Sequence, residues 1–215
     1  MSATERTPLV VVGAGDQGRV VLEILRAIGE RPIGFVEPTG NASSTGREVD
    51  GMGVIGELES GGNWLVAGTR FVAALGDNAA RREAFDRCVA RGLVPFAAVH
   101  PTATLLAGAS VEPGAVVCAG AVVGLAAWIG PNAIVNTAAS VDHDNRIGPH
   151  ATVAPGAHLA GRVTVGEGAF VGIGAAVREG RSIGEWALVA GGAMVVEDVP
   201  AGARVAGVPA RPMAE

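Results

Sequence analysis

Residues 113–141 read PGAVVCAGAVVGLAAWIGPNAIVNTAASV, a stretch with no charged side chain. A bilayer-spanning helix needs only about 20 predominantly apolar residues, so length alone permits a membrane span here. The period excludes it. Stepping by six from Val99 gives Val99, Leu105, Val111, Val117, Val123, Ile129, Val135, Val141, Ile147, Val153, Leu159, Val165, Val171, Val177, Ile183, Val189 and Val195, and all seventeen are Val, Ile or Leu. Counting that residue as place one of a hexad, place five is alanine in thirteen of the seventeen. A membrane helix has no reason to keep a period of six through Pro113, Pro131 and Asn132.

Places two to four are rich in Gly, Pro, Asn and Asp, which are turn residues. Places five, six and one read small, variable, aliphatic, and a strand period of two points places five and one to the same side. A short strand and a bend every six residues predict a triangular prism, three hexads to a coil of eighteen, filled by Ala and Val. The four hexads without alanine at place five carry Asn145, Val163, Arg181 and Val199, each eighteen from the next. They form one column, and His143 belongs to it.

Outward from this repeat, composition agrees with a core of small residues: 33 glycines, no tyrosine, five phenylalanines and three tryptophans among 215 residues. The net charge of -5 gives no electrostatic reason to expect nucleic acid or an anionic membrane as a partner. Cys88 and Cys118 are too few and too far apart for a zinc knuckle or a disulfide framework, which suits a reducing cytoplasm. The N-terminus lacks the basic segment and long apolar run of a signal peptide.

Residues 8–38, PLVVVGAGDQGRVVLEILRAIGERPIGFVEP, predict strand, glycine turn, helix, strand. Gly13, Gly15 and Gly18 form G-x-G-x-x-G, with Asp16 and Gln17 inside it, where a helix N-terminus can take a phosphate. Glu37 ends the second strand, where a carboxylate can hold ribose hydroxyls. Asp77 and Asn78 follow the later strand in FVAALGDNAARREAFDRCVARG, at the edge a ligand would touch. Before Val99 there is room for one mononucleotide-binding half, which argues against a dinucleotide oxidoreductase; a purely structural βαβ unit is the other alternative. PTGNASSTGREVDG, residues 38–51, reads as a mobile polar loop. The expected domains are 1–98, a Rossmann-like unit; 99–205, the prism; and 206–215, a tail.

The hexads resemble the hexapeptide-repeat acyltransferases, whose prism is a left-handed parallel β-helix and which work as homotrimers. With the Rossmann-like unit in front, with NTAASVDHDN at 136–145 and AGVPARPM at 206–213, the whole chain resembles the nucleotide-sugar N-acetyltransferases of the sialic acid O-acetyltransferase-like family. The resemblance implies acetyl transfer from acetyl-CoA, the cosubstrate, to the 4-amino group of a nucleotide-linked dideoxyamino sugar, with GDP-perosamine of O-antigen synthesis as the expected acceptor. A UDP-linked 4-amino sugar or the hydroxyl of a sialic acid remains open. It implies His143 as general base, Asp144 or else Asp142 as its carboxylate partner, and Asn136 as a polar contact to sugar or water. Where some relatives carry another histidine this chain has Thr152, so no second histidine is assigned. Gly161, one coil from His143, leaves room for a thioester and offers an N–H to an oxyanion. Coenzyme A is expected in a groove between subunits, near Gly161 and Gly191, with Pro209 and Arg211 toward the adenine and Arg178 or Arg204 near the phosphates. A zinc site of His143, His150 and His158 is disfavoured because the three stand at different hexad places, and a non-catalytic sugar-nucleotide binding protein is the remaining rival.

Overall fold

The computed structural model describes residues 7–38 and 45–213, and the chain divides into two compact units, Met1–Phe96 and Ala97–Glu215. The first contains β1 (Leu9–Val12), α1 (Asp16–Ala27), β2 (Gly34–Glu37), β3 (Glu48–Val49), β4 (Met52–Glu57), β5 (Arg70–Ala73), α2 (Asn78–Ala90) and β6 (Val94–Pro95). Its sheet runs β3-β4-β2-β1-β5-β6, parallel except for the β3–β4 pair. β1 is LVVV and wholly buried, as a central parallel strand must be. With β2 on one side of β1 and β5 on the other, the strand order reverses at β1, and a crevice is expected outside the carboxyl ends there.

Residues 38–51 differ from the loop expected. Residues 39–44 lie outside the described residues, but Glu48–Val49 pairs with Gly53 and Met52 in a two-residue hairpin. Asp50 (φ 47°) and Gly51 (φ 76°) at its tip are both left-handed, which a type I′ turn requires and which an Asp-Gly pair supplies at little cost.

The second unit is the prism. Its first wall stacks seven parallel strands from Ala98–Val99 to Arg204–Ala206, the second stacks six from Thr104–Leu105 to Met194–Val195, and the third five from Ser110–Val111 to Ser182–Ile183. Every register from Ala98 to Val195 steps by eighteen, as in Val117↔Val135 and Ile129↔Ile147. Alanines of place five and aliphatics of place one fill the interior: Ala115, Val117, Ala121, Val123, Ala127 and Ile129 are all fully buried. The corners are type II turns spanning places two to five. Prolines 113, 131, 149 and 155 stand at place three, and place four is left-handed, by glycine at 114, 120, 156 and 168 and by Asn132 (φ 55°), Asp144 (φ 58°) and His150 (φ 58°). At the far end Arg204–Ala206 turns back into Arg211–Pro212, and the Ala210 N–H donates to the Met194 carbonyl at 2.8 Å. No helix among the described residues is long and apolar enough to cross a membrane.

Candidate active site

His143 occupies place three of a corner between the second and third walls, so its ring leaves the core; the side chain is 41% exposed. The corner is built by its neighbours. Asp142 Oδ1 accepts the backbone N–H of His143 at 2.7 Å, and the Asp144 N–H donates to the Leu125 carbonyl of the preceding coil at 2.8 Å. Asp144, in the left-handed conformation that aspartate tolerates, turns its Oδ2 to His143 Nδ1 at 2.9 Å. Of the two candidate carboxylates, Asp144 therefore meets the ring while Asp142 holds the backbone. A carboxylate only accepts, so in the neutral imidazole the proton sits on Nδ1 and Nε2 keeps its lone pair.

Nε2 lies over Gly161. A Cβ on Gly161 would stand within van der Waals radii of Nε2 and 2.5 Å from Cε1. Only glycine leaves that space. The N–H at place three is not needed by the coil, since proline holds place three at 113, 131, 149 and 155. The Gly161 N–H is accordingly a donor that the ladder does not consume.

Along the second wall beside this corner runs an open groove of about 490 Å³, lined by Ser140, Asp142, His158, Arg178, Glu179 and Met194 among others. Arg178 stands two coils from Asp142 in the same column. His158 and Ser140, which sequence reasoning did not assign, face each other across the groove floor at 2.8 Å, Nδ1 to Oγ. Their signal was place six of a wall hexad, which points outward. Pro209 and Arg211 belong to the tail that reaches the end of this wall at Met194, and Arg211 Nη1 lies 3.9 Å from Glu197 Oε1. Arg204 stands on the first wall. Asn136 and Gly191 occupy the corner between the first and second walls, so within one chain the Ser140–Val141 wall separates Asn136 from His143. Asn136 Oδ1 accepts the Thr137 N–H at 2.8 Å.

In the first unit, Gly13 (φ 104°) ends β1 and its N–H donates to the Val36 carbonyl at 2.8 Å. A Cβ on Gly18 would collide with the Gly13 carbonyl, and one on Gly15, the residue before α1, would meet open space. Gly13 thus makes the turn, Gly18 allows the close approach of helix to strand, and Gly15 leaves open space before α1. Asp16 is fully exposed beside Arg19, and the Gln17 Nε2 is buried without a partner among the described residues. Glu37 Oε1 receives Arg47 Nη2 at 3.2 Å at the end of β2. Asp77 caps α2 by accepting the Ala80 N–H at 2.8 Å, and Asn78 Oδ1 accepts from Arg81 Nη2 at 2.8 Å. Burial lowers the Arg81 pKa to about 10.

Among the described residues no group of three or more His, Cys, Asp or Glu is placed to hold a metal ion. His150 faces Asn132, with Nδ1 2.8 Å from Nδ2, and His158 faces Ser140, so the three histidines look three ways. Both cysteines are buried, and burial pushes each thiol up to about 12, out of nucleophilic use.

Residues 8–88 match the family model of the PglD N-terminal domain. A histidine-to-alanine variant of GDP-perosamine N-acetyltransferase from Caulobacter crescentus, solved in complex with CoA and GDP-perosamine, is 35% identical, with a TM-score of 0.88 over 100% of both chains. The acetyltransferase domain of PglB from Neisseria gonorrhoeae, solved with acetyl coenzyme A, is also 35% identical, with a TM-score of 0.87 over 97% of this chain and 100% of that one. WeeI from Acinetobacter baumannii, 23% identical with a TM-score of 0.86, shares the fold. No curated protein matches. The prism is thus the left-handed parallel β-helix of an acyltransferase, preceded by a Rossmann-like domain. The chain belongs to the nucleotide-sugar N-acetyltransferases of the sialic acid O-acetyltransferase-like family, and its cosubstrate is acetyl-CoA.

Proposed function

We propose that the protein acetylates the 4-amino group of a GDP-linked dideoxyamino sugar, GDP-perosamine, with His143 as general base. The observation that carries the chemistry is the His143 ring held by Asp144 at Nδ1 with Nε2 above Gly161. The acceptor rests on the Caulobacter relative, 35% identical over its whole length and solved with CoA and GDP-perosamine.

An amine attacks a thioester only with its lone pair free, and imidazole is the side chain that takes a proton near neutral pH. The sugar nitrogen bonds to the acetyl carbonyl carbon while its proton passes to His143 Nε2. The cation so formed is stabilised by Asp144. The carbonyl oxygen gains charge, and the Gly161 N–H donates to it. On collapse the C–S bond breaks, the sulfur leaves with its electron pair, and the proton on Nε2 is available to it, giving the amide and free CoA. The groove beside Arg178 takes the pantetheine and phosphates, with the Pro209–Arg211 tail toward the adenine. In the N-terminal unit, Gly13, Gly15 and Gly18 with Asp16 and Gln17 receive the diphosphate at the start of α1, and Glu37 the ribose; Asp77 and Asn78 bound that edge while holding α2. The working form is a homotrimer with active sites between subunits, to which Asn136 and Gly191 of another corner contribute, and its place is the cytoplasm, in O-antigen synthesis.

The test is CoA release from acetyl-CoA with GDP-perosamine, UDP-linked 4-amino sugars and free sialic acid offered separately. Turnover with GDP-perosamine far above the others is expected. Turnover with sialic acid alone overturns the acceptor.

A further inference from the structure

The turns of the prism are of two kinds, and the difference falls at the active corner. In all thirteen hexads with alanine at place five, the alanine N–H donates back to the carbonyl of place two, closing the turn; examples are Ala127 to Gly124 at 3.2 Å and Ala139 to Asn136 at 3.0 Å. The bond is missing at Asn145, Val163, Arg181 and Val199. On the edge that carries His143, the first two turns, Leu106–Ala109 and Gly124–Ala127, are closed, and the turn of His143 itself is the first that is open.

Asn145 stands at this change. Its side chain is fully buried in an interior otherwise built of Ala, Val, Ile and Leu, its Oδ1 accepts the Val163 N–H of the next coil, and its Nδ2 has no partner among the described residues. A half-satisfied amide in an apolar core is unfavourable. The fold does not ask for it, because alanine closes the turn one coil earlier at Ala127. By taking the Val163 N–H, Asn145 leaves the Ala160 carbonyl untied. That carbonyl and the Gly161 N–H belong to one planar peptide, so whatever fixes the first fixes the direction of the second.

We propose that Asn145 is a positioning residue for acetyl transfer: its Oδ1 holds the 160–163 turn open and so aims the Gly161 N–H at the reacting carbonyl beneath His143. This rests on the acetyl-transfer reading above. With alanine at 145, the Val163 N–H loses its acceptor and turns to the Ala160 carbonyl, which closes the 160–163 turn and rotates the Gly161 peptide. The interior loses an unsatisfied polar atom and gains a regular bond. Catalysis therefore falls while stability holds or rises.

The experiment compares wild type with Asn145→Ala, Asn145→Val and Asn145→Thr by thermal midpoint, by steady-state CoA release, and by crystal structures. Expected for the Ala and Val variants are a midpoint at or above wild type, a KM for acetyl-CoA within about twofold, and a kcat lower by on the order of ten- to a hundredfold, part of the effect of losing an oxyanion donor. Threonine matches valine in shape but keeps an acceptor oxygen, and should recover most of kcat. A wild-type kcat in Asn145→Ala, equal losses in Val and Thr, a variant turn that stays open, or an Asn145→Ala protein that does not fold would each overturn the proposal. Absence of wild-type turnover refutes the acceptor reading instead, and the turn geometry in the variant crystals still decides the role of Asn145.

Discussion

The imidazole of His143 lies where a side chain on Gly161 would be: Cε1 is 2.5 Å from the position a Cβ would take. The two residues are eighteen apart, one full coil, and the Arg162 N–H donates to the His143 carbonyl at 2.9 Å, which locks one turn onto the other. The ring and the candidate oxyanion donor thus sit on stacked turns of the ladder, one coil apart.

Gly161→Ala tests that relationship. Gly161 does not need a left-handed backbone, so the fold should accept alanine with a thermal midpoint within a few degrees. The added methyl displaces the ring and fills the approach to the N–H, and kcat/KM for acetyl transfer should fall about a hundredfold. Calorimetry and CoA-release kinetics check the two halves. Near wild-type turnover would remove Gly161 from the site.

His143→Asn should lower kcat by about 10²- to 10⁴-fold, the range of general base catalysis, while GDP-perosamine still binds by calorimetric titration. Asp144→Asn keeps the left-handed turn, which asparagine also tolerates, but removes the charge that stabilises the imidazolium, and a loss of about tenfold in kcat is expected. Unchanged rates in His143→Asn would leave a sugar-nucleotide binding protein as the better description.

Much of this is legible in the sequence, and the reason is periodicity. A prism wall repeats every eighteen residues, so the column of Asn145, Val163, Arg181 and Val199 identified the edge of His143, and the Gly, Pro, Asn and Asp of places two to four identified the bends, though not their type. The glycine turn was equally readable, because Gly13 and Gly18 each answer a separate steric demand, a left-handed turn and a close approach. What stayed hidden depends on side-chain direction or on pairing between remote residues. Asp142 and Asp144 are alike on paper, and only the left-handed turn at Asp144 decides which one meets the ring. Asn136 stands seven residues from His143 in the chain yet across a whole wall, since each hexad moves the chain on to the next corner. The β3–β4 hairpin was missed although Asp50-Gly51 announces it, because the polar stretch around it reads as loop.

Arg178 gives a different signature. It lines the groove two coils from Asp142, in the stretch proposed for the pantetheine and phosphates. Arg178→Ala should raise the KM for acetyl-CoA about tenfold and leave kcat within about twofold, the pattern of lost uniform binding. An equal fall in kcat with KM unmoved would place Arg178 in the chemistry rather than in the binding of the cofactor.

The two thiols predict how the protein behaves in alkali and in the assay itself. Burial raises Cys88 and Cys118 from 9.0 to about 12, against the opposing pull of Arg87 and Arg91 on Cys88 and of a backbone bond from Thr137 on Cys118. The folded protein keeps these protons where the unfolded chain releases them. Their contribution to stability is therefore fully present below about pH 9 and is lost as pH rises from there toward about 12. The thermal midpoint should decline across that window, and less steeply in Cys88→Ala once its own lower baseline is subtracted. At pH 8 a disulfide reagent should label neither thiol in the native protein and both in denaturant, so that colour in a CoA-release assay reports released CoA alone. Rapid labelling of the native protein at pH 8 would show that one of these side chains reaches solvent, contrary to its burial.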